Sequence, residues 1–524
     1  MTLTKETILK EVFGFESFRP NQAEIINTLL DNANNNDGIL AVMPTSAGKS
    51  LLYQLPALVF DGLTIVISPL ISLMKDQVDY LKSKNIPAEF YNSSITESEK
   101  KIIENKLINN NLKLLYVSPE RFGDRKFSEL LKLSNKISLF AVDESHCISS
   151  WGHDFRPSYR LLKEAIYFLK PERVMALTAT ATKRVQHDIC KQLNIPHAKK
   201  FIHGFYRPDL SIIVKTCNSS SKIDHVIKRT IQYVNMNMPT GIIYSPTRKL
   251  ADEIHEKLRQ ENINSTLYHA GLSDSVRETT QTKWFKDGGI IVATIAFGMG
   301  IDKPDVRFIL HAGLPASLEN YYQEIGRASR DGKGAKCVIF FDQGKDIDLQ
   351  KFFIEMSYPP SQAIRDFWDW CCNEADKNNM ILKTQKEMSS ECKSFMKDFY
   401  VGGCVAKLRE NEFIETIANG KYKINIDKDL DKDFDFVKLE INRRIRFDTL
   451  YEMSDFVNNS RSCRMVQILK YFEDNLNLKE CGRCDVCIGK MLKTRPVNES
   501  NHVVTSKDNW KRAVNLARER YNET

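Results

Sequence analysis

ILAVMPTSAGKS, residues 39–50, passes from an apolar run through a turn to a lysine and a serine, and its reading decides the fold. The apolar residues 39–43 end at PTSAGKS, and SLLYQLPALV follows at helical length. A buried strand that enters a loop at a helix N-terminus leaves backbone N–H groups unpaired at the positive end of the helix dipole, an arrangement that binds phosphate. The pattern G-x-x-x-x-G-K-[ST] asks for glycine where this chain has Met43. Pro44 and Thr45 are expected to set the turn instead, while Gly48 keeps the backbone close to phosphate.

Working outward, the same kind of strand recurs at TIVISP (64–69), KLLYVSP (113–119), LFAVDE (139–144) and RVMALTAT (173–180), with helical stretches between. That rhythm is the signature of a parallel sheet covered on both faces. A second series, GIIYSPTR (241–248), GIIVAT (289–294) and VRFILH (306–311), predicts a second α/β unit. The expected domains are 1–202 and 203–345.

A phosphate loop in a nucleotide hydrolase needs a magnesium-binding carboxylate at the end of another strand of its sheet. LFAVDESH supplies one. Asp143 is expected to hold magnesium together with Ser50, Glu144 to orient or deprotonate the attacking water, and Lys49 to neutralise charge on the β- and γ-phosphates. Neither motif is specific alone, but in this order and on matching strand ends they reinforce each other.

Composition sets the bounds. A chain of 524 residues is too long for one core. With 42% hydrophobic and 27% charged residues it reads as globular, and no apolar run approaches the roughly 18 residues that span a bilayer. The start, MTLTKETILKEVFGF, lacks the basic and apolar blocks of a secretory signal, so an intracellular protein is expected, in nucleus or cytoplasm wherever the genome is processed. Its twelve cysteines should then be thiols or metal ligands. The net charge of +8 suits a polyanion partner without requiring one.

Taken in order, FRPNQ after Phe15, MPTSAGKS, SPLISLMKDQV, YVSPERF, DESHCISSWGHDFRPSY, LTATAT, YHAGLS, ATIAFGMGIDKPDVRFILH and QEIGRASRDG closely resemble the RecQ helicases, a DExH-type family of superfamily 2. The resemblance implies two RecA-like parallel-sheet domains followed by a helical zinc-binding subdomain. It implies that Phe15 and Arg19 sandwich adenine while Gln22 reads its edge, a role for which an aromatic face, a guanidinium plane and an amide are suited. It casts Arg327 and Arg330 as arginine fingers reaching across a domain cleft, with Gln323 on the water or γ-phosphate. It gives LTATAT a part in linking nucleotide state to DNA, and His146 a part in communication between the DExH strand and the other domain. In CISSWGHDFRPSY, aromatic residues sit among basic ones, a composition that suits base stacking on a single strand; the resemblance assigns DNA sensing to Trp151, Phe155 and Arg156.

Cys463 and the CGRCDVC run of Cys481, Cys484 and Cys487 have the reach of a four-thiolate zinc site at 441–490, preceded by a helical hairpin. The other eight cysteines are expected in cores. Between them and the helicase motifs lies more chain than the family requires. IRDFWDWCCNEA reads as a helix, Thr384 and Glu387 as a capping box, GGCVAKLRENEF as a third helix, and FIETI-ANG-KYKINI as a hairpin turning at Asn419-Gly420. This predicts an inserted winged-helix-like module over 346–440, able to grip duplex DNA or to brace the core. With only a short stretch after Cys487, the further C-terminal domains of many relatives are expected to be absent. Residues 491–524 read as a linker and a docking helix carrying Trp510 and Tyr521 on its apolar face.

Other departures are Ser46 and Ala47 in the loop, Ser145 after the acidic pair and Ser329 in the last motif, where the family has glycine or alanine. The expectation is an ATP-dependent 3′–5′ DNA helicase, monomeric, using ATP, Mg2+ and Zn2+ on single-stranded and duplex DNA without a membrane; its protein partners are not legible. An RNA helicase of the DExH class and a non-unwinding DNA translocase or annealing scaffold stay open as alternatives.

Overall fold

A computed structural model describes residues 4–31, 38–44, 47–133, 136–149, 151–152, 154–202, 204–298, 301, 303–417, 421–474 and 476–493. Thr45, Ser46, the Asn419-Gly420 turn and the C-terminal helix expected within 491–524 lie outside the described residues.

The first unit is built on a seven-stranded sheet, β1 Ile39–Val42, β2 Leu63–Ile67, β3 Ala88–Tyr91, β4 Leu114–Val117, β5 Ile137–Val142, β6 Val174–Thr178 and β7 Lys199–Ile202. They lie in the order β3-β4-β2-β5-β6-β1-β7, and every described pairing is parallel. The inner strands β1, β2, β4, β5 and β6 are buried along their whole length, as near-continuous Val, Ile and Leu runs demand when helices cover both faces. The second unit has six strands, β8 Leu210–Thr216, β9 Gly241–Tyr244, β10 Ser265–Tyr268, β11 Ile290–Ala293, β12 Phe308–His311 and β13 Ala335–Phe341, in the order β10-β11-β9-β12-β13-β8, again parallel.

The two sheets contain all the strands expected from apolar runs, together with the edge strands β3, β7, β8 and β10 and the inner strand β13, which that reading did not single out. AEFY of β3, KKFI of β7 and STLY of β10 mix polar with apolar residues because one side of an edge strand meets solvent.

Beyond β13, the Lys345–Ser357 helix leads to a module with its own core of Ile364, Phe367, Trp368, Met388, Val401, Leu408 and Phe413. Its order is helix Ser361–Glu374, β14 Met380–Ile381, helix Gln385–Cys392, helix Tyr400–Glu410, β15 Ile414–Ile417 and β16 Lys421–Ile424. The strands form an antiparallel sheet, β14-β16-β15, the winged-helix order, with a short first strand that two residues of sequence do not announce. The capping box is present, Thr384 accepting from the Glu387 N–H and Glu387 from the Thr384 N–H.

The third helix, the one that enters the groove in DNA-reading relatives of this fold, is packed against the helicase body. Gly403 lies so close to the Lys345–Ser357 helix that a Cβ there would meet the Met356 carbonyl oxygen at 2.2 Å. Around it, Phe399 packs at a tilt on Phe352 (4.8 Å between ring centroids) and Tyr400 donates to Glu355 at 3.2 Å. A single helix, Phe436–Asn458, closes the module core at Leu439 and continues as the first arm of the zinc hairpin, so the boundary expected at 440 falls inside it. Of the eight cysteines outside the zinc set, seven are buried as expected and Cys372 is exposed.

Candidate functional site

The carboxyl ends of β1, β6 and β5 converge because the strands are adjacent, Val42 beside Thr178 and Val142 beside Ala176. The loop after β1 is anchored by the Met43 N–H, which donates to the Thr178 carbonyl at 3.0 Å. Gly48 takes φ +72°, and an added Cβ would meet the Gln22 amide at 2.7 Å, so glycine is required there. Lys49 is buried and donates to the Met43 carbonyl at 3.2 Å, curling over the mouth of the loop. Burial lowers its pKa, and the Glu144 and Asp143 carboxylates oppose that shift. Ser50 is half-buried at the start of the Leu51–Val59 helix.

Gln22 is buried with both ends of its amide engaged. Nε2 donates to the Ala47 and Gly48 carbonyls at 3.0 and 3.1 Å, and Oε1 accepts from the Arg19 N–H at 2.9 Å. Adenine recognition by this residue would therefore also report on the phosphate loop. Phe15 is 45% exposed and Arg19 is exposed, the former carried by the turn after Val12.

At the end of β5, Asp143 is buried and its Oδ1 accepts from the Glu144 N–H at 2.9 Å. Burial and the neighbouring Glu144 charge push Asp143 up to about 6, against the pull of Lys49. A buried carboxylate in that state gains from an added cation, so the donor set of Ser50 and Asp143 fits a magnesium ion. Glu144 sits in the left-handed region at φ +46°, a strained backbone for a non-glycine residue and one that recurs at reactive sites.

His146 is fully buried. Its Nδ1 lies 2.9 Å from Thr178 Oγ1 and 3.3 Å from a Glu144 oxygen, and the Thr178 hydroxyl donates to the Thr180 carbonyl. With that hydroxyl proton committed, Nδ1 is the donor to Thr178. These bonds join DESH to LTATAT within the first unit.

The aromatic-rich loop is folded onto the first unit. Trp151 is half-buried against the core, and the Arg184 guanidinium lies over its ring. Arg160 covers Phe155 at 5.0 Å. Arg156 pairs with Asp154 at 3.2 Å and donates to the Pro69 carbonyl at 3.1 Å. Tyr159 belongs to the core rather than to an exposed face, its hydroxyl donating to the Asp143 carbonyl at 3.0 Å. His146, Cys147 and Asp154 also bring ligand atoms within 4.8 Å of one another, but Thr178 and Arg156 already engage His146 and Asp154.

From the second unit, helix Leu318–Ile325 and the turn after it carry Gln323, Arg327 and Arg330. Gln323 and Arg327 are buried and Arg330 half-buried. Arg327 donates to the Gly298 carbonyl, beside the Tyr244 hydroxyl that donates to the Phe297 carbonyl at 3.0 Å. Burial is the main cause of the lowered Lys49 pKa, and the Arg330 charge adds slightly to it. Ser329, where the family has glycine, adopts φ +54°, and its hydroxyl accepts from the Gly334 N–H at 2.8 Å. Arg207, which no motif marks, holds this segment by donating to the Ala328 carbonyl at 2.8 Å while paired with Asp209 at 2.6 Å. Long-range contacts of this kind leave no local pattern in a sequence.

The thiols of Cys463, Cys481, Cys484 and Cys487 all lie within 4.8 Å of one another, with 3.9 Å between Cys463 and Cys484. Sulfurs on a zinc tetrahedron with bonds of about 2.3 Å stand about 3.8 Å apart, so the set fits zinc. The sulfur atoms also accept backbone N–H bonds, Cys463 from Cys481 and Cys484 from Arg464. Buried Arg464 clamps the knuckle to the hairpin through Asp485 at 3.0 Å and the Asn459 carbonyl at 3.1 Å. The hairpin in turn grips the linker between the two sheets: Phe205 stacks flat on Phe472 at 4.3 Å, and its N–H donates to Asp474 at 3.2 Å.

Comparison with known proteins agrees with this architecture. Residues 19–189 match the DEAD/DEAH box helicase model, 221–332 the helicase conserved C-terminal domain and 424–488 the RecQ zinc-binding domain. The ATP-dependent DNA helicase RecQ of Haemophilus influenzae is 44% identical over 362 residues, covering 69% of this chain and 57% of the relative, so the chain spans little more than half of that protein. The probable ATP-dependent DNA helicase RecS of Bacillus subtilis is 34% identical over 495 residues, 92% of each chain, which carries the likeness through the winged-helix module. Saccharomyces cerevisiae Dbp5 bound to RNA and ADP BeF3 shares the fold, with a TM-score of 0.53 at 19% identity over 66% of this chain and 89% of that one. Two parallel sheets, the phosphate loop, the acidic strand end and the four-cysteine knuckle, together with these relatives, place the chain in the RecQ family of helicases.

Proposed function

We propose that the protein is an ATP-dependent DNA helicase that acts inside the cell as a monomer. It would move 3′ to 5′ along single-stranded DNA and separate duplexes during repair, recombination or replication. The observation that carries this reading is the convergence at one sheet end of the loop holding buried Lys49 and the acidic end of β5 with Asp143 and Glu144, in a chain whose relatives are DNA helicases.

In this reading Phe15 and Arg19 hold the adenine while Gln22 contacts its edge and the loop carbonyls. The loop backbone at Gly48 cradles the phosphates. Lys49 moves from the Met43 carbonyl to the β- and γ-phosphate oxygens. Ser50 and Asp143 hold Mg2+, which supplies charge neutralisation on those oxygens when bound. Glu144 orients the attacking water and takes its proton. Arg327 and Arg330, with Gln323, stabilise charge on the transferred phosphate from the opposite wall, so closure and hydrolysis are coupled. His146 and Thr178 relay the state of Glu144 to the aromatic-rich loop, where Trp151, Phe155 and Arg156 contact the single strand. Zinc held by Cys463, Cys481, Cys484 and Cys487 keeps the hairpin on the linker at Phe205.

Steady-state ATPase with no nucleic acid, single-stranded DNA or single-stranded RNA, beside a Lys49→Ala control, tests this reading. DNA-specific stimulation lost in the control supports it, and RNA-only stimulation replaces it with an RNA helicase. Unwinding of a 3′-tailed but not a 5′-tailed duplex tests the direction; DNA-stimulated hydrolysis without strand separation would reduce the protein to a translocase or scaffold.

A further inference from the structure

The helix Lys183–Gln192 begins just after LTATAT, capped by Thr182, and its first turn holds no acidic residue. It opens instead with two adjacent cations, Lys183 and Arg184, at the end of a helix where the dipole disfavours positive charge. Both are exposed, and each finds its partner outside the helix. Lys183 pairs at 2.5 Å with Glu473, at the end of the second arm of the zinc hairpin. Arg184 lies over the Trp151 ring and feels the charges of Asp188, one turn on, and of Asp448 on the Phe436–Asn458 helix. Trp151 packs against the core while remaining half-exposed, so the guanidinium shields part of the ring that would otherwise meet solvent.

A guanidinium is flat and delocalised and stacks on an indole much as a base does. An exposed cation–π contact is weaker than a base stacked on an aromatic side chain, so a base can displace it. We propose that Arg184 is a placeholder for a nucleobase: in the DNA-free protein it occupies the Trp151 surface on which a base of the single strand stacks. DNA moves it off the ring, so the aromatic surface is uncovered only when a strand is present. The inference rests on the reading of Trp151 as a DNA contact. Its consequence is that Arg184 opposes DNA binding even though its charge favours it.

The test titrates the ATPase of the full chain with oligo(dT) in the parent, Arg184→Lys, Arg184→Ala and Trp151→Ala proteins, with thermal midpoints confirming folding. Lysine keeps the charge and loses the planar stacking, so Arg184→Lys should reach half-maximal stimulation at about twofold less oligo(dT) than the parent, a part of the worth of an exposed cation–π contact. Adding Trp151→Ala to Arg184→Lys should erase that gain. An unchanged or higher half-maximal concentration in Arg184→Lys overturns the proposal. A rise in Arg184→Ala alone would mark a simple phosphate contact and overturn it as well. Should Trp151→Ala itself leave the oligo(dT) dependence unaltered, the DNA role of the loop fails first and the placeholder falls with it.

Discussion

Adjacent glycines in the third module helix, Gly402 and Gly403, should respond in opposite ways to alanine. In a helix interior, Gly→Ala gains roughly 1 kcal/mol from backbone entropy. At Gly402 the new Cβ meets Gln385 Nε2 at 2.6 Å, the far end of a flexible side chain that can rotate away, so most of that gain survives. At Gly403 it meets the Met356 carbonyl oxygen at 2.2 Å and Pro359 Cδ at 3.0 Å, and the oxygen belongs to backbone. Relief requires the two helices to separate by about an ångström, which costs about 1–3 kcal/mol or more, the scale of overpacking a core. The module should therefore be held as well or better in Gly402→Ala and loosened in Gly403→Ala. A chain of several units does not unfold in one step, so the readout is hydrogen exchange of the Tyr400–Glu410 amides beside limited proteolysis of the module. Equal protection in the two variants would refute the docking of this helix on Lys345–Ser357. If the docking holds, this helix is not free to enter a DNA groove, and deletion of the module should perturb the hairpin more than it perturbs duplex binding.

Three other outcomes are expected. Glu144→Gln should keep ATP binding, measured by nucleotide fluorescence, while steady-state hydrolysis falls by about 10²-fold or more, the scale of losing a positioned general base. Cys484→Ser should lower the zinc content of the purified protein, read by metal analysis, and reduce the thermal midpoint, because the knuckle anchors both Arg464 and the hairpin. Phe205→Ala should cost about 3–5 kcal/mol by removing a buried ring stacked on Phe472, seen as a lower thermal midpoint together with weaker coupling of ATPase to DNA.

Much of this protein is written locally. The apolar runs of the inner strands, the PTSAGKS turn, the acidic pair closing β5, the Thr384 capping box and the spacing of Cys481, Cys484 and Cys487 each carry their meaning within a dozen residues, since a strand, a cap or a knuckle is made by near neighbours. Edge strands were less legible because their polar residues face solvent and blur the pattern. Tertiary structure alone decided which way the shared groups turn. It commits the Gln22 amide to the phosphate loop, ties His146 to Thr178, lays Arg184 over Trp151 and has Arg207 hold the finger segment from more than a hundred residues away. It also turned a helix with the position of a DNA reader inward, through a glycine whose missing side chain lets two backbones touch. Such contacts join residues far apart in the chain, and no periodicity or spacing records them, because they depend on how finished elements pack.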